Sequence, residues 1–457
     1  MLLILAYSLK RWYNMIARWL TLHKGGINMN IERIYVDGFK NVDNVNVALS
    51  KLTSLLSTNN FGKSNYLKAI DFAMVFISAN PKEKSQMMNI KNLIPILNSN
   101  FGKNFKFEIE FSSNLNNELC DIIYGYEFQW GVSKEKEAKI VKEYLRIKQI
   151  NSQKFSLLID RENESAVYKA FNTGRCDKDI LIKDNELLIN KLRAYDSLYY
   201  IDVLEVLNEF EVYIDRHFDS ENLYSFNPLI EKGNNFLSPS SDNGIARILN
   251  ELKNENEDKY NLIINTLKDL FPYITEVGIQ EIDLTGHNKS NIDDDAPFKW
   301  ADVEYILYVE TKQISNKIQF SNMSDGVKRI LSILTYITLA DYNKIPLIAI
   351  EEPENSIHPG LFKKYVVALS NFAKNSKIII TSHSPYLINF MDLSTVYIGM
   401  PNSKGIATFR KIKNNAVAKI NNHADDMDMM AGEYLFDLMS GYAKKDIENL
   451  KKYLENE

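Results

Sequence analysis

The residues with the clearest chemical potential are Ser57-Thr58-Asn59-Asn60-Phe61-Gly62-Lys63-Ser64, set between the apolar run LTSLLS and a helical pattern that starts at Ser64. A loop entering a helix can turn its backbone N–H groups toward a phosphate, and the helix N-terminus adds partial positive charge. In that setting Asn59, Asn60, Gly62, Lys63, Ser64 and Asn65 line a triphosphate site. Lys63 reaches the β/γ oxygens and the Ser64 hydroxyl binds Mg²⁺. Two positions depart from the pattern G-x-x-x-x-G-K-S/T: Ser57 stands at the first glycine, and Phe61 stands where a small residue is usual. Glycine normally serves the tight turn, so backbone strain is expected at Ser57. Binding of a triphosphate is therefore better supported than its hydrolysis.

Two further apolar runs end in residues that suit such a site. In PLIAIEEPENSIHP, Leu347 to Ile350 precede the adjacent carboxylates Glu351 and Glu352. A buried strand ending in carboxylates offers a metal ligand and a water-activating base. Glu351 takes Mg²⁺, directly or through water, and Glu352 polarises the attacking water. The metal position is usually Asp; Glu351 is one methylene longer, which a water-mediated contact tolerates. A solvated strand end is the plain alternative. In KIIITSHSPYLI the run ends at Thr381-Ser382-His383-Ser384, at the kind of strand edge where parallel sheets bind ligands. There His383 can donate to the γ-phosphate or orient water.

Met323-Ser324-Asp325-Gly326 runs directly into an apolar helical pattern. Ser324 and Gly326 at a helix N-terminus make an anion site from a hydroxyl, N–H groups and the helix dipole. Simple capping by Ser324 or Asp325 explains the same residues equally well. Order along the chain decides: phosphate loop, this element, double carboxylate, then Thr-Ser-His.

With those motifs in place (IERIYVDGFKNV, NNFGKSN, MSDGVKR, IEEPENSIHP and TSHSP, over about 29–400), the chain resembles the ABC-type AAA ATPases of the RecF/SMC/OLD group. It is most similar in pattern to the stand-alone ATPase subunits of bacterial anti-phage and abortive-infection systems such as Septu and PARIS. The resemblance implies ATP and Mg²⁺ as cofactors. It also implies a homodimer or higher homo-oligomer in which Ser324 and Gly326 complete, in trans, the site bound by the opposite subunit. It further suggests Gln86 as a glutamine-loop position and Lys40 as a base or ribose contact.

These motifs require an α/β fold: a P-loop NTPase head of ABC type with a mostly parallel sheet, an antiparallel β subdomain and an inserted helical subdomain. Alternation in IERIYVDGF, NVNVAL and LTSLLS predicts three strands, followed by a helix from Ser64 to Ser78. FKFEIEF, DIIYGYEFQW, KEYLRIKQI, KFSLLID and SAVYKAF read as hairpin strands. The expected division is 29–185 as N-terminal lobe, 186–272 as a mostly helical insertion, 273–400 as C-terminal ATPase lobe and 401–457 as terminal strand and helices. Helices are expected over 324–345 and 358–374, with buried strands at IPLIAI and KIIITS. No sustained heptads support a long coiled-coil arm.

Composition sets the remaining limits. At 457 residues, 45% hydrophobic and 25% charged, the chain is an ordinary globular protein. The net charge of −5 gives no global attraction for nucleic acid, so DNA binding would need a local basic surface. Cys120 and Cys176 have no paired spacing, and the six histidines do not cluster. Residues 1–28 carry Lys10, Arg11, Arg18 and Lys24 without an acidic residue, and their apolar runs are too short to span a membrane. Lys24-Gly25-Gly26 can be encoded by AAAGGAGG, a ribosome-binding sequence, so Met29 is the expected start and 1–28 translated upstream sequence. Without those four basic residues the net charge moves from −5 to −9.

Asp425, Asp426 and Asp428 read as a solvated helix start rather than a metal site, and Tyr434, Leu435, Phe436 and Leu438 as packing on the head or docking a partner. Three functions follow: an ATPase controlling a separate effector such as a nuclease, a repair or recombination ATPase that clamps DNA, and a nucleotide-gated scaffold with little hydrolysis. No route across a bilayer is implied. The expected location is the cytoplasm.

Overall fold

The computed structural model describes residues 29–455 except 59–60, 98, 116–117, 134–135, 150–151, 196, 211, 216–222, 225–227, 233–236, 238–243, 287–295, 297, 401–404 and 442–443. The start-site expectation for 1–28 lies outside the described residues. The chain forms two compact units, each discontinuous in sequence. Among the described residues, one holds those of 29–215, 345–353 and 375–455; the other holds those of 216–344 and 354–374.

In the first unit the strands are β1 (Asn30–Asp37), β2 (Val45–Ala48), β3 (Leu52–Leu56), β4 (Phe105–Leu115), β5 (Glu118–Gln129), β6 (Lys139–Gln149), β7 (Ser156–Glu162), β8 (Ser165–Tyr168), β9 (Lys178–Asp179) and β10 (Val212–Asp215). All of these but β3 and β10 form one eight-stranded antiparallel sheet, in the order β2-β1-β4-β5-β6-β7-β8-β9. FKFEIEF, read as a hairpin strand, alternates in β4, with Phe105, Phe107, Ile109 and Phe111 buried.

The second unit contributes β11 (Leu229–Glu231), β12 (Ile274–Asp283), β13 (Phe298–Trp300), β14 (Val303–Thr311) and β15 (Ile314–Gln319). These make a two-stranded β11-β13 ladder and a β12-β14-β15 sheet. The same unit carries helices Ile245–Glu255, Glu257–Leu270, Asp325–Tyr342 and Phe362–Phe372. The buried Arg247–Glu304 ion pair ties the first of these helices to β14.

Back in the first unit, β16 (Leu347–Glu351), β17 (Lys377–Ser382), β18 (Val396–Gly399) and β19 (Phe409–Lys411) join β3 and β10 in the order β10-β16-β17-β3-β18-β19. All neighbours are parallel except β18 and β19. Every residue of β3, β16 and β18 is buried, as expected for strands of a parallel sheet that lack an exposed face. The 186–272 stretch, read as mostly helical, thus also supplies β10, because VYID is β-branched and apolar enough to add an edge to β16.

The helix Lys63–Ser78 buries Tyr66, Leu67, Ala69, Ile70, Phe72, Ala73, Met74, Phe76 and Ile77, a set too wide for one helical face. Phe72 and Phe76 stack into an aromatic cluster with Phe105, Phe128 and Trp130 of the antiparallel layer; Phe76 and Phe128 lie 4.9 Å apart. Tyr66 donates to the Ile34 carbonyl at 3.2 Å and Tyr126 to that of Ala73 at 3.1 Å, which fixes the helix against β1 and β5.

Tyr434, Leu435 and Leu438 are buried in a C-terminal core with Leu56, Ile388, Ile398 and Leu450, and Phe436 packs against it, so these residues pack on the head. Asp425 closes the helix Val417–Asp425, and Asp426 and Asp428 stand in the exposed turn beyond it. The acidic run is therefore a helix end, not a start. The next helix begins at Ala431, where Glu433 caps the Met430 N–H. Among the described residues no helix is long and apolar enough to cross a membrane.

Candidate functional site

Parallel pairing in register brings three strand ends together. Glu351 is opposite Thr381, Thr381 opposite Leu55, and Ser382 opposite Leu56. The segments after β3, β16 and β17 therefore leave the sheet at one edge, where α/β sheets bind ligands. Ser57, Glu352 and His383 each lie within one residue of those ends.

At that edge the Ser64 hydroxyl donates to Glu351 Oε2 at 3.0 Å. Both groups are hard oxygen donors, and Glu351 is buried. Mg²⁺ keeps several waters and takes one or two protein oxygens beside phosphate oxygens, so this pair fits it. Among the described residues no group of three or more His, Cys, Asp and Glu could hold a metal by itself. Glu352 has φ +48, a left-handed conformation costing about 1–2 kcal/mol for a residue with a Cβ. Its N–H is held by the Thr381 carbonyl at 2.8 Å, and its Oε1 lies 3.2 Å from His383 Nδ1. Strain of this kind persists where the surroundings over-determine the backbone, commonly at functional sites.

Lys63 is buried, and its ammonium donates to the Ser57 carbonyl at 2.8 Å, the Ser57 hydroxyl at 3.1 Å and the Thr58 carbonyl at 3.2 Å. Asn65 donates to Asn41 at 2.8 Å, and Asn59 and Asn60 lie outside the described residues. Among the loop's described residues positive φ falls at Gly62 (+117) and not at Ser57, so the strain expected at Ser57 is absent. What accommodates Ser57 and Phe61 is Gly399 on β18. A Cβ at Gly399 would stand 2.6 Å from the Phe61 ring and 2.7 Å from Ser57 Cβ. Phe61 then meets Phe409 edge-on at 5.7 Å. The room that a glycine loop would supply comes from a neighbouring strand. No local signal in the sequence marks Gly399 for this, since it lies far from the loop along the chain.

In the other unit, Ser324 caps the helix Asp325–Tyr342 with an extended backbone (φ −60, ψ 151) and no side-chain cap hydrogen bond. Ser324 and Asp325 are exposed, and Asp325 pairs with Lys328 at 3.0 Å. Gly326 has its own packing reason: a Cβ there would meet the Ser356 carbonyl at 2.4 Å. Gln86 is exposed in the helix Pro81–Met87. Lys40 has φ +52, with its N–H held by the Leu93 carbonyl.

A mostly parallel sheet in which the histidine strand β17 lies between the phosphate-loop strand β3 and the carboxylate strand β16 defines a P-loop nucleotide-binding head. Residues 29–388 match the family described as an AAA ATPase domain, which is most of the chain, and the protein belongs to that family. The assignment from motifs to the RecF/SMC/OLD group agrees with it. Endonuclease GajA of Bacillus cereus (strain HuB5-5) is 23% identical over 491 residues. That match covers 94% of this chain but spans only 65% of the relative's length. Among solved structures, an SMC head bound to the C-winged helix domain of ScpA has a TM-score of 0.49 at 14% identity, covering 85% of this chain and 99% of that one. The SMC head domain from Thermotoga maritima has a TM-score of 0.40 at 13% identity, covering 84% and 99%.

Proposed function

We propose that this AAA ATPase domain binds and hydrolyses ATP with Mg²⁺, and that its nucleotide-gated dimer controls a separate effector, a nuclease, in anti-phage defence. The observation that carries the catalytic part is the meeting of Ser64 with Glu351 and of Glu352 with His383 at one sheet edge. Mg²⁺, when bound, neutralises phosphate charge and orients the terminal phosphoryl group. Lys63 places a cation at the β/γ oxygens. Glu352 accepts a proton from the attacking water, whose oxygen bonds to the γ-phosphorus as the bond to the ADP oxygen breaks. His383, beside Glu352, orients that water or donates to the γ-phosphate. Exposed Ser324, its hydroxyl making no cap bond, is suited to a triphosphate carried by a second copy.

Glu352→Gln tests both parts. It should keep ATP binding, slow turnover by about two orders of magnitude or more and accumulate an ATP-bound dimer. Normal hydrolysis by this variant would remove Glu352 from the mechanism. Ser324→Arg should prevent dimerisation while leaving ATP binding by the monomer; a dimer that forms normally would overturn the trans arrangement.

The effector role draws on the similarity to a protein named as an endonuclease. Reconstitution with the products of adjacent genes tests it. A second reading, a nucleotide-gated scaffold with little turnover, is favoured by the Ser57 hydroxyl on Lys63. Tight ATP binding without phosphate release would select it.

A further inference from the structure

Asn41, in the turn after Phe39, reaches the phosphate loop from outside the loop's own sequence. Its Nδ2 donates to the Phe61 carbonyl at 3.2 Å and to the Gly405 carbonyl at 3.3 Å. Its Oδ1 accepts from Asn65 Nδ2 at 2.8 Å, and its main-chain carbonyl accepts from the Ala407 N–H at 2.7 Å. One side chain thus holds the peptide before Gly62, the first turn of the helix Lys63–Ser78 and the segment entering β19.

The peptide plane makes this consequential. In a trans peptide the carbonyl and the N–H of the next residue point in opposite directions. Holding the Phe61 carbonyl toward Asn41 therefore turns the Gly62 N–H away from it. Gly62 has φ +117, where a peptide flip costs a glycine little, so the orientation must be imposed from outside. The packing is also closed on that side: a Cβ at Gly62 would stand 2.5 Å from Ala407 Cβ and 3.0 Å from Asn41 Oδ1.

We propose that Asn41 is a positioning residue of the phosphate loop, which fixes the Phe61–Gly62 peptide so that the Gly62 N–H serves the phosphates of a nucleoside triphosphate. The segment Gly405–Phe409 is the wall against which Asn41 sets it. This inference rests on the reading of Ser57–Ser64 as the triphosphate loop and adds a residue that contacts no phosphate itself.

The test is Asn41→Asp in the full chain, with ATP as ligand. The aspartate can still accept from Asn65 but places an acceptor against the Phe61 carbonyl. The dissociation constant and KM for ATP should rise about tenfold or more, with kcat within about twofold of wild type, because Glu352 and His383 are untouched. A wild-type dissociation constant in the variant would overturn the inference. So would a parallel fall in kcat and thermal stability with KM unchanged, which marks a purely structural role. If Asn41→Asp does not fold, Asn41→Ser, which removes the amide without adding charge, must show the same loss of affinity; equal affinity sinks the idea. Wild type that binds no ATP would refute the triphosphate reading as well, whereas binding by wild type and variant alike refutes Asn41 alone.

Discussion

The Ser64 hydroxyl lies 3.0 Å from Glu351 Oε2, although 287 positions separate the two residues in the chain. One stands in the first turn of the helix that leaves the phosphate loop, the other at the end of β16. Ser64→Ala and Glu351→Ala should each weaken ATP binding in Mg²⁺ by about tenfold or more, with little change in EDTA. Fluorescent-nucleotide titration in both conditions checks this. Wild-type Mg²⁺ dependence in both variants would show that the pair does not hold the metal.

Lys63→Ala removes a cation bonded to the Ser57 and Thr58 carbonyls of the loop. ATP affinity should fall by at least about tenfold, and ATP-driven dimerisation should disappear. Light scattering with and without ATP reads the outcome; a dimer that still forms with nucleotide would contradict it.

Gly399→Ala puts a methyl group against the Phe61 ring and Ser57 Cβ. Overpacking of this kind costs about 1–3 kcal/mol. Ser57→Gly in the same chain should recover part of that loss, since the two residues meet directly. Urea unfolding of the single and double variants measures the coupling, and strictly additive effects would rule out the proposed exchange of space.

Lys84 is buried beside the end of the phosphate-loop helix, where its ammonium donates to the Ile77 and Ala79 carbonyls and to Asn190. Burial pushes it down to about 7, against the opposing pull of Glu143, Glu83 and Glu186. Its value is thus depressed in the folded protein, so between pH 7 and the ordinary lysine range the unfolded chain binds more protons. Its contribution to stability should rise with pH across that window, by up to about 1.4 kcal/mol per pH unit, and should be least favourable below pH 7. Lys84→Met should flatten this part of the curve. An identical pH slope between 7 and 9.5 in wild type and variant would assign the dependence elsewhere.

By itself the sequence determined the pieces of the site. Apolar runs such as LTSLLS, PLIAI and KIIIT are long enough to form buried strands, and polar residues follow each one, because solvation and hydrogen bonding change at a strand's end. The loop, the paired carboxylates, His383 and the helix after Ser324 were therefore legible as local pattern. The acidic turn at 425–428 was misplaced on its helix because capping depends on which backbone N–H lacks a partner, and here Glu433 supplied the cap one turn later.

Only the tertiary structure decided which strand lies beside which, that Gly399 gives the loop its room, and that Asn41 and Ala407 brace Gly62. These are contacts between residues far apart in the chain. Their geometry follows from sheet register and close packing, which no local run of residues encodes.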